Sequence, residues 1–280
     1  MKCFYHKADL DGVGSGAIIK YKHPECEMIG LDYGLEFPWD KISKDETVFM
    51  VDFSLQPFED MIKLNENCNL IWIDHHQSAI NDYDSADVNI IGKRKIGEAG
   101  CELTWKYCFP GEDMPLTIKY LGRYDVWDLA DDKIIYFQYG IKTLQDIMNP
   151  EDNKWLGLFR TNEYCSDIIE HGKIIKKYID NENASFIKRF MFETEIDGIK
   201  AIAVNRGGTS SQLFDSVDTE NKIMMPFIKM PNGKWTVSLY TSDKDIDCSV
   251  IAKKYDGGGH RGAAGFQCDK LPFKIGGNNE

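Results

Sequence analysis

The sequence predicts an α/β protein with a parallel-sheet N-terminal domain and a smaller α/β C-terminal domain. Three observations predict this. Short apolar runs alternate with helical stretches through the first ninety residues, the pattern of strand–helix–strand units. The runs are continuous, as in Val48-Phe49-Met50-Val51, which suits strands buried on both faces. After Arg189 the pattern changes to short strands broken by turns.

Taken in order, Lys2–Tyr5 reads as a first strand and Gly14–Tyr21 as the helix after it. Glu27–Leu31, Thr47–Asp52 and Leu70–Asp74 read as three further strands, with helical spacing at Phe58–Leu64. From Ile96 the pattern turns helical, and Gly97–Tyr107 sets Ala99, Leu103 and Tyr107 on one face. Ile134–Met148 and Ile168–Ile187 continue it, the latter rich in Lys, Glu and Asn and suited to bridging two domains. Lys200–Val204, Met224–Met230 and Trp235–Tyr240 read as strands, the last two joined by the turn signal Pro231-Asn232-Gly233. Cys248–Tyr255 reads as a short helix. The expected domains are residues 1–185 and 186–280.

Composition narrows the function. The chain has 280 residues, 42% hydrophobic and 28% charged, the balance of a globular protein rather than a disordered or collagen-like one. The net charge is −12, with 33 Lys and Arg against 45 Asp and Glu. Residues 191–280 hold 11 basic against 12 acidic residues, leaving 22 against 33 in residues 1–190. An acidic chain argues against long duplex nucleic acid and anionic membrane surfaces as partners. No apolar stretch reaches the length of a bilayer span, and the start lacks a signal-peptide core. The eight cysteines are scattered with no C-x-x-C pair, so a thiolate zinc site is not expected and a reducing, cytoplasmic compartment is.

Ligands of parallel sheets bind at the carboxyl ends of strands. The first predicted strand runs into His6-Lys7-Ala8-Asp9-Leu10-Asp11-Gly12, the third into Asp52-Phe53-Ser54 and the fourth into Asp74-His75-His76. One strand-end aspartate is commonly a helix cap or a surface charge, but a set at three strand ends is not. Such carboxylates repel one another unless cations lie among them. Oxygen and imidazole donors without thiolate suit manganese, magnesium, iron or zinc. Two ions bridged by one aspartate can clamp a phosphoryl group and activate water.

Gly12, Gly14 and Gly16 lack the Gly-Lys-Ser/Thr ending of a phosphate loop. They are expected to let the backbone turn tightly, with Ser15 capping the next helix. Tyr124-Asp125-Val126-Trp127-Asp128 offers a further carboxylate. Asp256-Gly257-Gly258-Gly259-His260-Arg261-Gly262-Ala263-Ala264-Gly265 looks built for an anion, with bare N–H groups, two cationic side chains and small residues opening a helix. Arg206-Gly207-Gly208-Thr209-Ser210-Ser211 is a weaker candidate of the same kind.

These motifs, in this order, resemble the DHH phosphoesterases, named for a motif matched by Asp74-His75-His76. The distal Gly257–Gly265 stretch resembles the signature of the associated C-terminal domain. The resemblance implies two α/β domains with the active site in a cleft between them, and two divalent ions, most naturally Mn2+. It implies that His6, Asp9 and Asp52 hold one ion, and that Asp11, Asp52, His75 and Asp125 hold the other. It further implies that Asp11, Asp52, His75 and His76 carry catalysis by a hydroxide held on the metals. Asp74 would orient His75, and His76 would contact the scissile phosphate. Arg206, Gly258, Gly259, His260 and Arg261, with His76, would bind substrate. Relatives place an Arg in a Ser-x-Arg-Ser segment where this chain reads Ser238-Leu239-Tyr240-Thr241. Tyr240 is a stacking candidate in its place.

The function expected from this resemblance is hydrolysis of short oligonucleotides, as by the nanoRNases of the family. The alternative is a small-molecule phosphohydrolase acting on 3′-phosphoadenosine 5′-phosphate, on linear or cyclic dinucleotides, or on pyro- or polyphosphate. Sheet edges and long helices leave room for a homodimer.

Overall fold

A computed structural model of the chain describes residues 1–276. It divides into two compact units, Met1–Lys176 and Lys177–Glu280, and the division falls inside one long helix. The first unit contains β1 (Lys2–His6), α1 (Leu10–Lys22), β2 (Glu27–Leu31), β3 (Thr47–Val51), α2 (Glu59–Asn67), β4 (Asn69–Asp74), α3 (Gln77–Ser85) and β5 (Ile91–Arg94). It continues with α4 (Gly100–Cys108), α5 (Leu116–Asp125), α6 (Asp132–Ile141), α7 (Lys154–Arg160) and the start of α8 (Glu163–Phe190). The second unit carries β6 (Phe192–Ile196), β7 (Ile199–Asn205), β8 (Ile223–Lys229), β9 (Trp235–Tyr240), α9 (Cys248–Lys253), β10 (Gly258–Gly259) and β11 (Ala263–Cys268).

The expected α/β class is correct. The first sheet has the order β2-β1-β3-β4-β5, parallel throughout. Its continuous apolar runs follow from burial on both faces. On β1 and β3, Cys3, Tyr5, Phe49 and Val51 enter one core with residues of α1, α4, α5, α6 and α7. Phe4, Val48 and Met50 enter another with Met61 and Leu64 of α2 and Ala79 of α3. Alternate side chains of each strand therefore feed opposite cores, the period-two rule at work. Trp72 and Met50 are fully buried there. Truncating such a side chain to Ala costs about 2–5 kcal/mol.

The register sets the active edge. Tyr5 pairs with Val51 and Val51 with Ile73, so His6, Asp52 and Asp74 emerge in one row. β1 is flanked by β2 on one side and β3 on the other, so the chain reverses its direction of winding at β1. That is the switch point where open α/β sheets bind ligands.

Several expectations need correction. α1 begins at Leu10, not Gly14, and Gly12, Gly14 and Gly16 are helical residues. Its cap is Asp9, whose side chain accepts from Gly12 N, while Ser15 is buried within the helix. The glycines serve close packing: a Cβ on Gly12 would lie 2.1 Å from the His6 carbonyl oxygen. The helix expected over Ile134–Met148 ends at Ile141, and Asp146 adopts a left-handed backbone beyond it.

The second unit has a mixed sheet of order β10-β11-β9-β8-β7-β6, in which only β7 and β8 run parallel. Ala203, Met225, Phe227 and Leu239 pack with α9 on one face, and Ile202, Val204 and Met224 with Ile187 of α8 on the other. The distal glycine stretch opens no helix. Gly258 and Gly259 pair with Gly265 and Ala264 as the arm of a hairpin, and Ala263–Cys268 pairs along β9. The glycines are needed for this approach, because a Cβ on Gly257 would lie 2.2 Å from Gly265 O. Among the described residues, no helix is long and apolar enough to cross a membrane.

Candidate metal centre

Seven predicted side chains of the first unit meet at the carboxyl edge of its sheet. His6 ends β1, Asp9 caps α1 and Asp11 lies in its first turn. Asp52 follows β3, His75 and His76 follow β4, and Asp125 ends α5. His6 Nδ1 lies 3.2 Å from Asp9 Oδ2 and 3.7 Å from Asp52 Oδ2. His75 Nε2 lies 3.2 Å from Asp52 Oδ1, 3.4 Å from Asp125 Oδ2 and 3.6 Å from Asp11 Oδ2. Asp52 thus stands between a His6–Asp9 group and an Asp11–His75–Asp125 group.

Donor atoms sharing one ion at bonds of about 2.1 Å stand roughly 3.0–3.4 Å apart, close to these spacings. His6 Nδ1 and Asp52 Oδ1 are buried, yet neither makes a hydrogen bond. Leaving such atoms unpaired is costly, unless their lone pairs converge on something else. His6-Asp9-Asp52, Asp11-His75-Asp125 and Asp52-His75-His76 each bring three donors within 4.8 Å of one another. The donor set fits divalent metal ions.

The backbone is shaped around this set. Asp52 has φ 52°, a left-handed conformation that costs a non-glycine residue about 1–3 kcal/mol and persists where the surroundings enforce it. The start of α4 supplies that enforcement. Gly100 N and Cys101 N each donate to the Asp11 carboxylate at 2.8 Å, and a Cβ on Gly100 would lie 2.6 Å from Asp52 Oδ1. Gly100 is therefore part of the cradle. The sequence reading missed this role, whose signal was the glycine placed just inside a helix start.

Asp74 corrects another expectation. Its Oδ1 accepts from His75 N and His76 N and lies 2.6 Å from His76 Nδ1. Its carboxylate thus orients the His76 ring, not that of His75. Trp72 Nε1 donates to the other oxygen. The two-residue offset follows from the chain leaving β4: the His75 ring turns toward Asp52 and the His76 ring folds back on Asp74.

The charges explain one another. Asp52, then Asp9, push the His6 imidazole up to about 10. Burial pulls His76 down, but Asp74 overrides it and carries the imidazole to about 9. Burial also opposes the charge on His75, and Asp52 again outweighs it to raise the imidazole. Burial alone would raise Asp52, yet the His6 and His75 imidazoles hold it far below the usual carboxylate range. Burial, then the Asp52 charge, push Asp125 up to about 6 and also raise Asp11. In a metal-free chain, imidazolium protons stand where cations would.

Residues outside the expected set also line the centre. Asp32 Oδ1 lies 3.6 Å from His6 Nε2. The Tyr33 ring packs 5.6 Å from His6 and 4.7 Å from Phe53. They follow β2, and the signal was present in the sequence: Asp32 directly follows the strand Glu27–Leu31, as Asp52 follows β3.

The second unit holds the remaining expected residues. His260 and Arg261 are exposed at the tip of the β10–β11 hairpin. Arg206 Nη1 donates to Asn183 Oδ1 at 3.2 Å, and its guanidinium lies over the Phe186 ring. Tyr240 donates to Thr209 O and packs beside the Ile202–Val204 core, which leaves its ring engaged in packing rather than free for a base.

A parallel sheet with an Asp/His metal centre at its switch point, followed by a separate mixed-sheet domain, defines a class of α/β metallophosphoesterase. The chain belongs to the DHH family: residues 3–123 match the DHH family N-terminal domain, and residues 196–274 match the DHHA1 domain. An uncharacterised protein, R106, of Acanthamoeba polyphaga mimivirus is 28% identical over 94% of this chain. This chain spans 66% of that relative's length. The oligoribonuclease NrnB of Bacillus subtilis is 23% identical over 97% of this chain and 74% of its own. A pGpG-specific phosphodiesterase, PggH, from Vibrio cholerae shares the fold at TM-score 0.52 and 12% identity, covering 95% of this chain and 92% of that one.

Proposed function

We infer that this DHH phosphoesterase is a two-metal phosphodiesterase that hydrolyses short oligonucleotides. The observation that carries the reading is Asp52: a buried carboxylate on a left-handed backbone, 3.7 Å from His6 and 3.2 Å from His75, with an unpaired oxygen between two donor groups. Homology to an oligoribonuclease over nearly the whole chain supports the substrate class.

His6, Asp9 and Asp52 would hold one ion, and Asp11, Asp52, His75 and Asp125 the other. Bound there, divalent ions would offset phosphoryl charge and supply a nucleophile from water near neutral pH. All donors are oxygen or imidazole nitrogen, which suits Mn2+. His76, held by Asp74 and protonated near neutral pH, is placed to donate to a phosphoryl or leaving oxygen. Gly258, Gly259, His260 and Arg261, with Arg206, would bind a substrate phosphate through backbone N–H groups and cationic side chains. Among the described residues every cysteine is free, consistent with a cytoplasmic setting.

The test is a substrate panel with the Mn2+-loaded protein. The panel holds 5′-phosphorylated RNAs of two to five residues, a strand of about 24, 3′-phosphoadenosine 5′-phosphate, a cyclic dinucleotide and pyrophosphate. Fastest turnover on the shortest RNAs is expected. Turnover of a phosphomonoester or pyrophosphate with none of any dinucleotide would sink the reading.

A further inference from the structure

Beside the metal centre, and wholly within the first unit, lies a cavity of about 350 Å3 that none of the expected site residues line. Its size is near the low end of small-molecule sites, typically ~300–1,000 Å3. Its walls come from the segment after β2 and the segment after β3, with Asp60 from the first turn of α2.

The lining has two kinds of chemistry. The first is aromatic. Tyr33, Phe37, Trp39 and Phe53 all contribute. Phe53 is buried, and Phe37 and Trp39 pack edge to face, 4.8 Å apart, on the core below. Tyr33 is half exposed although its ring packs 4.7 Å from Phe53. The same ring lies 5.6 Å from His6 and 6.5 Å from His76. One face of the cavity is therefore shared with the metal centre.

The second is acidic. Asp32, Glu36 and Asp60 line the cavity, and no Lys, Arg or His does. Asp32 is committed, accepting from Tyr33 N and facing His6. Among the described residues, Glu36 and Asp60 have no side-chain hydrogen-bond or ion-pair partner. A phosphate would be repelled from such a lining. A flat ring with N–H donors on its edge would not be. Bases splayed from a strand are stacked on aromatic rings and read along their Watson–Crick edges.

Among the four RNA bases, guanine presents two adjacent donors, N1–H and N2–H, and a carboxylate offers two acceptor oxygens side by side. Uracil presents one N–H between two carbonyls, which a carboxylate opposes. We propose that this cavity is a nucleobase subsite that holds the base of a nucleotide next to the scissile phosphate and prefers guanine. The proposal rests on the short-oligonucleotide reading and adds base selectivity to it.

The test uses the full-length Mn2+-loaded protein and four dinucleotides, pGpG, pApA, pCpC and pUpU. The expected kcat/KM is highest for pGpG and at least about tenfold lower for pUpU. Tyr33→Ala is expected to lower kcat/KM for pGpG by roughly 5- to 100-fold, the range of a lost stacking contact, with Tyr33→Phe restoring it. Glu36→Gln and Asp60→Asn are expected to shrink the pGpG-to-pUpU ratio. Damage to fold or metal centre would lower both rates together and leave that ratio unchanged. Equal turnover of the four wild-type substrates, or an unchanged ratio in both carboxylate variants, overturns the proposal. If no dinucleotide is turned over, the function reading fails separately. Binding of GMP against UMP to the loaded protein then decides. A GMP preference lost in Asp60→Asn upholds the subsite, and its absence overturns it.

Discussion

Asp52 couples the two donor groups, and its geometry is fixed from outside by a residue with no side chain. Because a Cβ on Gly100 would lie 2.6 Å from Asp52 Oδ1, Gly100→Ala is expected to shift that carboxylate. Titration with Mn2+ should show metal affinity weaker by about 10–100-fold, the usual cost of disturbing a ligand's support, with circular dichroism unchanged. His76 is expected to act on protons rather than hold the fold. His76→Ala should lower kcat by about 10²–10⁴-fold, and Asp74→Asn should move the alkaline limb of the pH profile, which the raised His76 imidazole sets near 9, to lower pH. Metal binding must displace protons. The His6 imidazole is raised from 6.5 to about 10, so in the metal-free chain its charge stabilises the fold fully below pH 6.5 and is lost as pH rises toward 10. A metal ion competes with that proton, so Mn2+ affinity should rise with pH across this window. Calorimetry at pH 7 in buffers of different ionisation enthalpy should report net proton release; zero release would contradict the ligand assignment of His6.

At the scale of elements, α1 shows one residue carrying two duties. Asp9 Oδ1 accepts from Gly12 N at 2.9 Å, while its Oδ2 faces His6 Nδ1 at 3.2 Å. Serine also caps helices but offers no carboxylate, so Asp9→Ser should change stability by only a few tenths of a kcal/mol, whereas Asp9→Ala should cost about 1 kcal/mol. Both should lose metal affinity alike, and denaturant melts beside Mn2+ titrations separate the duties. Strands buried on both faces were legible because burial demands continuous apolar runs: β3 and β4 lie within one residue of their expected bounds at each end. The outer strands β5 and β6 were not. β5 reads Ile-Gly-Lys-Arg and β6 Phe-Glu-Thr-Glu-Ile, with too few apolar residues to stand out. The start of α1 was hidden by glycines, which lower helix propensity but here let α1 approach the His6 carbonyl. Small residues after Arg261 suggested a helix, but pairing with β9 across six residues prevails over local preference. The strand-end ligands were legible as a set because each polar group follows an apolar run. Asp74's choice of His76 over His75 was not, because it depends on ring orientation rather than spacing.

For the whole molecule, net charge sets what can approach. Each unit has its own core and sheet, and the acidic excess lies in residues 1–190. Part of it is the set Asp9, Asp11, Asp52 and Asp125, which two divalent cations would offset by four charges. The rest still leaves acidic residues in excess over basic ones in residues 1–190, which weakens the pull on a long strand. Long-strand binders gain affinity by releasing counterions, and log K falls with log salt by about 0.7 per phosphate contacted on single strands. A chain that engages one or two phosphates should therefore show a shallow slope. For a dinucleotide with Mn2+ held constant, log kcat/KM against log KCl between about 50 and 200 mM should fall with a slope of magnitude below about 2. The rate per molecule should also drop as the strand lengthens beyond about five residues, since each added phosphate adds negative charge against a chain of net charge −12. A slope near −4 or steeper, or rates that rise with strand length, would require a basic track that neither the charge distribution nor the acidic cavity beside the metals provides.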